Sequence, residues 1–272
     1  MKVGIKQKTV DILGVSVGAF TMEELLGVID ESVASRQQLL LGVVNAAKLV
    51  NARKDAELMR SLKEADLILA DGAPVVWLSR LLGTPLPQRL AGIDIMYRIL
   101  ERASARQYRV YFLGAKPEVL QRVVEITAKQ YPYAVVAGHR DGYFNDSEAE
   151  VVAQDIRNSR ADILFVAMSS PRKENFLAKW YDFMQVPVCH GVGGSFDVMA
   201  GVTKRAPHWM QDCGLEWFYR LIQEPRRMWK RYLVTNTMFI MLGVGAVIRA
   251  RLRGSRGRSK IDVTCNIETD DK

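Results

Sequence analysis

LILADGAPVVW, residues 67–77, runs four apolar residues into Asp71-Gly72 and returns at once to Pro-Val-Val-Trp. The run has the length of a buried strand closed by turn residues. Two readings of the aspartate are open on this stretch alone. Asp and Gly are what a sharp bend selects, and Asp caps helices well. Alternatively, the strand delivers a carboxylate to the carboxyl edge of a sheet, where open α/β folds place their ligands.

Working outward, apolar β-rich runs recur at LLLGVV (39–44), RVYFLG (109–114), YAVVAG (133–138), DILFVA (162–167) and VPVCH (186–190). Between them TMEELLGVIDESVASR, KPEVLQRVVEITAKQY and SEAEVVAQDIRNSR carry apolar residues at helical spacing. Strand alternating with helix predicts an α/β protein: a Rossmann-like, mostly parallel sheet with helices on both faces, over residues 1–201. No internal repeat interrupts it.

After Gly201 the character changes. Residues 202–260 hold thirteen Lys and Arg against Asp212, Glu216 and Glu224, in a chain whose total charge is +8, so the body is slightly acidic. APHWMQDCGLEWFYRLIQEPRRMWKRYL predicts basic, aromatic helices broken at Gly214, with Pro225 in a first turn. The following YLVTNTMFIMLGVGAVI is uncharged but interrupted by Thr-Asn-Thr, and its purely apolar part, Met238 to Ile248, would span roughly 16 Å, short of the ~30 Å hydrocarbon core. Flanked by arginines, it reads as a helical basic C-terminal appendage lying in a membrane interface. Residues 261–272 are expected to form a disordered tail. A polyanionic partner is expected for the basic segment alone.

Composition narrows the classes. The chain is 49% hydrophobic and 25% charged, as in ordinary globular proteins, which excludes a disordered one. Cys189, Cys213 and Cys265 are scattered with no C-x-x-C, which argues against a disulfide framework or zinc ribbon and suits a reducing cytosol. The N-terminal residues lack an apolar h-region, so no secretory signal is expected.

Three junctions could carry chemistry. VCHGVGGSFDVMAG (188–201) is a strand, a glycine-rich turn with Gly191, Gly193 and Gly194, and a helix start holding Asp197. Such a turn suits a diphosphate or plain helix–strand packing. It is no dinucleotide fingerprint, because Phe196 stands at the third glycine position. YFLGAKPEV (111–119) places Gly114, Ala115 and Lys116 at a second strand-to-helix junction, and GHRDGYF (138–144) supplies a turn with Tyr143 and Phe144. No D-x-D, H-E-x-x-H or G-x-S-x-G is present, and His139, His190 and His208 show no ligand spacing, so no metal site is expected.

Taken together, VVNAAKLVNARKD (43–55), ADLILADGAPVVW with PLPQRLAGIDIM (85–96), YFLGAKPEVL with GHRDGYF, and GVGGSFDVMAGVTKRAPHWMQDCGLEWFYRLIQEPRRMWKRYL (191–233) resemble the WecG/TagA/CpsF glycosyltransferases. The resemblance covers roughly residues 10–236. It implies an inverting, metal-independent transfer of a hexose or N-acetylhexosamine from a UDP-sugar to a polyprenyl-diphosphate-linked sugar. It implies no cofactor, a peripheral location on the cytoplasmic face of the bacterial inner membrane, contact with anionic lipid and no nucleic-acid partner, and it leaves room for a homo-oligomer. Asp71 matches the proposed general base, Asn45 lines the same pocket, and Arg89 matches the arginine before A-G-x-D. Arg220, Arg227 and Lys230 match the appendage cations that face the leaving diphosphate, with lysine at 230 where arginine is usual. Gly114, Ala115, Lys116, Tyr143, Gly191, Gly193, Gly194 and Asp197 are the expected substrate-binding positions.

Two departures bear on the donor. Val43 stands where the family often has threonine, and Lys173, in SSPRKENF, stands where glutamine is expected. A cation beside a sugar pocket makes UDP-N-acetylmannosamine less secure as donor and opens a different UDP-hexose or a carboxylate-bearing one. The rival readings are a nucleotide-dependent oxidoreductase, disfavoured by the missing fingerprint, and a non-catalytic basic docking module, which leaves the pocket motifs unexplained.

Overall fold

The computed structural model describes residues 9–169 and 171–258; the expected tail, 261–272, lies outside them. The chain opens with an antiparallel hairpin, β1 (Thr9–Ile12) and β2 (Val15–Gly18), which the strand reading did not include. There follow α1 (Met22–Ser35), β3 (Leu39–Val44), α2 (Ala46–Ala52), α3 (Ala56–Glu64), β4 (Leu67–Ala70), α4 (Ala73–Leu81), α5 (Gly92–Arg106), β5 (Arg109–Gly114) and α6 (Pro117–Gln130). The remainder is β6 (Val135–Arg140), α7 (Ala149–Asn158), β7 (Ile163–Ala167), α8 (Arg172–Met184), β8 (Val188–Gly191), α9 (Ser195–Met199), α10 (His208–Asp212), α11 (Glu216–Gln223) and α12 (Pro225–Arg258).

Strands β3 to β8 form one parallel sheet in the order β4-β3-β8-β7-β5-β6. Alternation along each strand divides the core. Leu39, Leu41, Phe112 and Phe165 face α1, α5 and α6, while Tyr111, Leu113, Leu164 and Val166 face α7 and α8. A third cluster joins the hairpin, α2, α4 and Phe239 of α12. The expected fold class is the observed one. Local signals set the boundaries: Thr21 and Glu24 form a reciprocal capping box at α1, and Pro117 opens α6.

Two expectations fail locally. The strand expected at 133–138 starts two residues later, because Tyr133 lies exposed in the turn after α6 and the β5–β6 register shifts at Val110/Tyr111. The turn read into GHRDGYF therefore begins at Asp141, since Gly138, His139 and Arg140 belong to β6. The Thr-Asn-Thr interruption is also absent. Helix α12 runs unbroken through it, and the buried Thr235 hydroxyl bonds the Arg231 carbonyl one turn back at 2.8 Å. Met228–Leu252 is consequently a 25-residue stretch long and apolar enough to cross a membrane by length and composition. One of its faces packs on the body through Phe239 and through Gly243, where a Cβ would meet Leu78 at 3.2 Å.

Candidate active site

The carboxyl ends of β4, β3 and β8 gather the polar residues. At the end of β4 the Asp71 N–H donates to Val44 O at 2.8 Å, tying it to the end of β3. Gly72 follows at φ +133°, a conformation suited to glycine, and N-caps α4. Its missing side chain would lie 3.7 Å from Asn45 Cβ. Asn45 in turn N-caps α2, its Oδ1 accepting from the Lys48 N–H at 3.0 Å. That leaves the Asn45 NH₂ as the donor it can offer a ligand. Both readings of Asp71-Gly72 are therefore partly right: the pair makes a sharp strand-to-helix turn, and the turn sits at the ligand edge of the sheet.

The electrostatic setting of Asp71 is mixed. Burial raises its carboxyl above the ordinary value and Glu216 adds to the rise, while Arg220, Lys48 and Arg89 oppose it. Among the described residues no ion pair within 4 Å holds that carboxylate. It is partly buried, with residual solvent access. Burial and neighbouring charge thus pull the Asp71 carboxyl in opposite directions. Arg220, from α11, is the strongest of the opposing charges, so the appendage acts electrostatically on the strand-end acid. Arg89 instead donates to Glu216 at 2.6 Å and lies 3.5 Å from Asp94.

Lys48 and Glu216 are members of this neighbourhood that the sequence reading did not single out. The Lys48 ammonium donates to Val43 O at 3.0 Å, and burial, then Lys173, lowers its pKa to about 8. Helical position was the only available signal: Lys48 stands three residues beyond Asn45, in the first turn of the helix that Asn45 caps.

Lys173 lies against the Gly191 backbone, where a Cβ would meet its side chain at 3.2–3.3 Å, and it pairs with Glu174 at 3.0 Å. The cation expected beside a sugar thus comes with an anion of its own. Lys48, Lys173 and Gly191 close one end of a cavity of about 320 Å³ running between α3 and α8 over Gly42. His190, at the end of β8, bonds Gly92 O through Nε2, and burial lowers its pKa to about 4, leaving it neutral near pH 7.

The other expected residues lie along the same edge or apart from it. Gly114 has φ +117°, and a Cβ there would strike Ala167 O at 2.4 Å, so only glycine fits. Ala115 (φ +60°) and the exposed N-cap Lys116 follow it, and Gly142 N–H bonds Ala115 O at 3.0 Å, bringing the Tyr143 loop alongside. This group stands three strand spacings from β3, roughly 14 Å along the edge. Tyr143 is exposed, but Phe144 is buried edge-to-face on Phe176, so it is core and offers a ligand no stacking face. The glycine turn keeps Gly193 and Gly194 exposed; Gly193 has φ +53°. The helix it opens, α9, is only five residues, too short for a useful dipole, and Asp197 Oδ2 lies 3.8 Å from a Gly194 Cβ position. Lys230 is exposed on α12, and the side chain of Arg227 lies outside what the structure describes. Among the described residues no group of three His, Cys, Asp or Glu is placed to hold a metal ion.

A mostly parallel α/β sheet flanked by helices, with an acid at the carboxyl end of β4 and a long C-terminal helix packed against the body, defines the class as α/β. Comparison with known sequences gives the family, and the chain belongs to the glycosyl transferase WecG/TagA/CpsF family, whose pattern matches residues 10–257. It is 39% identical over 194 residues to the N-acetylglucosaminyldiphosphoundecaprenol N-acetyl-beta-D-mannosaminyltransferase of Bacillus subtilis (strain 168), covering 71% of this chain and 75% of that protein. It is 37% identical over 207 residues to the protein of the same name from Bacillus spizizenii (strain ATCC 23059 / NRRL B-14472 / W23), covering 76% of each.

Proposed function

We propose that this glycosyltransferase moves a hexose or N-acetylhexosamine from a UDP-sugar to a sugar carried on a polyprenyl diphosphate, with inversion and without a metal ion. The names of the Bacillus relatives support the acceptor class. What supports the mechanism is the position of Asp71 at the carboxyl end of β4, with the charge of Arg220 acting on its carboxyl. Asp71 takes the proton of the acceptor hydroxyl as its oxygen attacks the anomeric carbon, and the UDP oxygen leaves with the electron pair of the broken bond. A positioned base of this kind gives about 10²- to 10⁴-fold. Arg220, with Arg227 and Lys230 on the neighbouring helix, offers fixed positive charge for the departing diphosphate. The Asn45 NH₂ and the 114–116 and 143 backbone edge are the proposed contacts along the donor.

The appendage also carries Trp209, Ile222, Trp229, Leu233, Ile240 and Met241 with their apolar surfaces exposed. With the arginines near the end of α12, this surface supports peripheral docking on the anionic cytoplasmic face of the inner membrane. The deciding experiment offers a panel of UDP-sugars with a diphospholipid-linked monosaccharide, with and without EDTA. Transfer from one UDP-sugar, undiminished by EDTA, is expected. Loss of turnover on chelation would end the metal-independent reading, and turnover with no UDP-sugar would end the donor class. Because Lys173 is paired with Glu174, neutral donors are expected to serve better than carboxylate-bearing ones.

A further inference from the structure

Helix α11 fully buries none of its residues, yet it carries Arg220, the cation that acts most strongly on Asp71. Its Trp217 packs edge-on against Tyr232 of α12, and ion pairs tie it to the body. Four charged side chains from separate segments close into a ring at its first turn. Arg205 grips Asp94 with two bonds of 2.6 and 2.8 Å. Its Nε lies 3.6 Å from Glu216; Glu216 accepts from Arg89 at 2.6 Å, and Arg89 returns to Asp94 at 3.5 Å. Two cations and two anions cancel, so the ring contributes geometry and little net charge. Glu216 and Arg220 are one helical turn apart, so fixing the first fixes where the second projects. Among the described residues Arg220 itself makes no ion pair within 4 Å.

We propose that Asp94 and Arg205 are positioning residues: their bidentate pair, closed through Glu216 and Arg89, latches α11 to the body and sets Arg220 beside Asp71. The proposal rests on the reading of Asp71 as base and Arg220 as its cationic neighbour. Paired guanidinium and carboxylate planes fix orientation as well as distance, whereas ion pairs that keep solvent access, here 20–33% per side chain, add modestly to stability. Breaking the latch should therefore slow transfer without lowering the melting temperature. It also gives Arg89 a task in the ring.

The test is a double-mutant cycle on the full chain, with the best donor from the UDP-sugar panel. Arg205→Gln should lower kcat on the order of 10- to 100-fold with little change in melting temperature, as expected when a catalytic group is misplaced by about an ångström. In an Arg220→Ala background the same change should cost little more, because the latch acts through Arg220. Arg205→Lys, which keeps the charge but cannot make the two-bond pair, should retain part of the rate. The pH–rate profile is a further readout, since Lys48, Arg89, Glu216 and Arg220 all face Asp71 and opening the ring moves two of them. A full rate in Arg205→Gln, a full rate in Arg220→Ala, or losses that multiply in the double variant would overturn the latch. Asp71→Asn is the separate control: normal turnover there sinks the base reading, whereas a dead Asp71→Asn with multiplying latch losses sinks the latch alone.

Discussion

The sheet and the C-terminal helices obey opposite rules. In the sheet every strand from β3 to β8 except the edge strand β6 buries most of its side chains, and the covering helices turn their apolar faces inward. In α11 and α12 large apolar residues face outward, and attachment to the body depends on ion pairs, close contacts at Gly214 and Gly243 and a stripe around Phe239. In the proposed mechanism both supply the site: the sheet presents the acid, and the C-terminal helices present the cation. Positioned chemistry on a rigid element is insensitive to surface changes, whereas chemistry carried by a docked helix depends on every contact that docks it.

The sharpest way to break this contrast is at the acid. Asp71→Asn should fold normally and lose about 10²- to 10⁴-fold in transfer, measured as UDP release at saturating acceptor. A folded variant with near-normal turnover would remove the rigid half from the chemistry. The docked half is tested next by Gly214→Ala. Gly214 has φ +69°, and a Cβ there would come within 2.7 Å of Ala73 Cβ and 3.0 Å of Trp77. The start of α11 must shift, so the rate should fall on the order of 10- to 100-fold, while the sheet's melting temperature stays nearly constant. A Gly214→Ala protein that keeps its rate would show that the docking contact is not needed.

A smaller effect is expected on the outward face. Leu233 and Ile240 lie two turns apart on α12, both more than 60% exposed. Leu233→Glu with Ile240→Glu should weaken co-sedimentation with anionic vesicles by at least about tenfold, since burying such a side chain contributes roughly 1.5–3 kcal/mol. Unchanged vesicle binding would mean that this stripe faces something else. The smallest effect concerns stability. Because burial raises the Asp71 pKa in the folded protein, ionising it disfavours the fold. The penalty is absent below the ordinary carboxylate pKa and grows as pH rises to the folded value. Asp71→Asn should therefore melt slightly higher than the parent at pH 7, with the gap closing toward pH 3.

Much of the rigid half was legible in the sequence. Parallel strands buried on both faces read as continuous apolar runs, and the turn residues that close them are local signals, so Leu67–Ala70 and Asp71-Gly72 announce a strand and its ligand end together. Family resemblance supplied the weight that local reading of Asp71 lacked. Phe144 illustrates the limit: Tyr143 and Phe144 are adjacent loop aromatics, and only packing against Phe176 separates the exposed one from the core one. In α12 the Thr-Asn-Thr step looked like a break, but a threonine can satisfy its hydroxyl on the preceding turn without ending a helix.

The sequence by itself determined the alternation of strands and helices, the family, the acid at a strand end and the basic, aromatic character of the C-terminal region. These are properties of neighbours in the chain, set by periodicity, turn chemistry and composition. Tertiary structure alone decided how the cations are engaged: Arg220 makes no ion pair among the described residues and its charge acts on Asp71, Arg89 is drawn into a ring with Glu216, and Lys173 arrives already paired with Glu174. Ion pairs form over distances of a few ångströms, and those distances join residues 89, 94, 205 and 216, which no local pattern brings together.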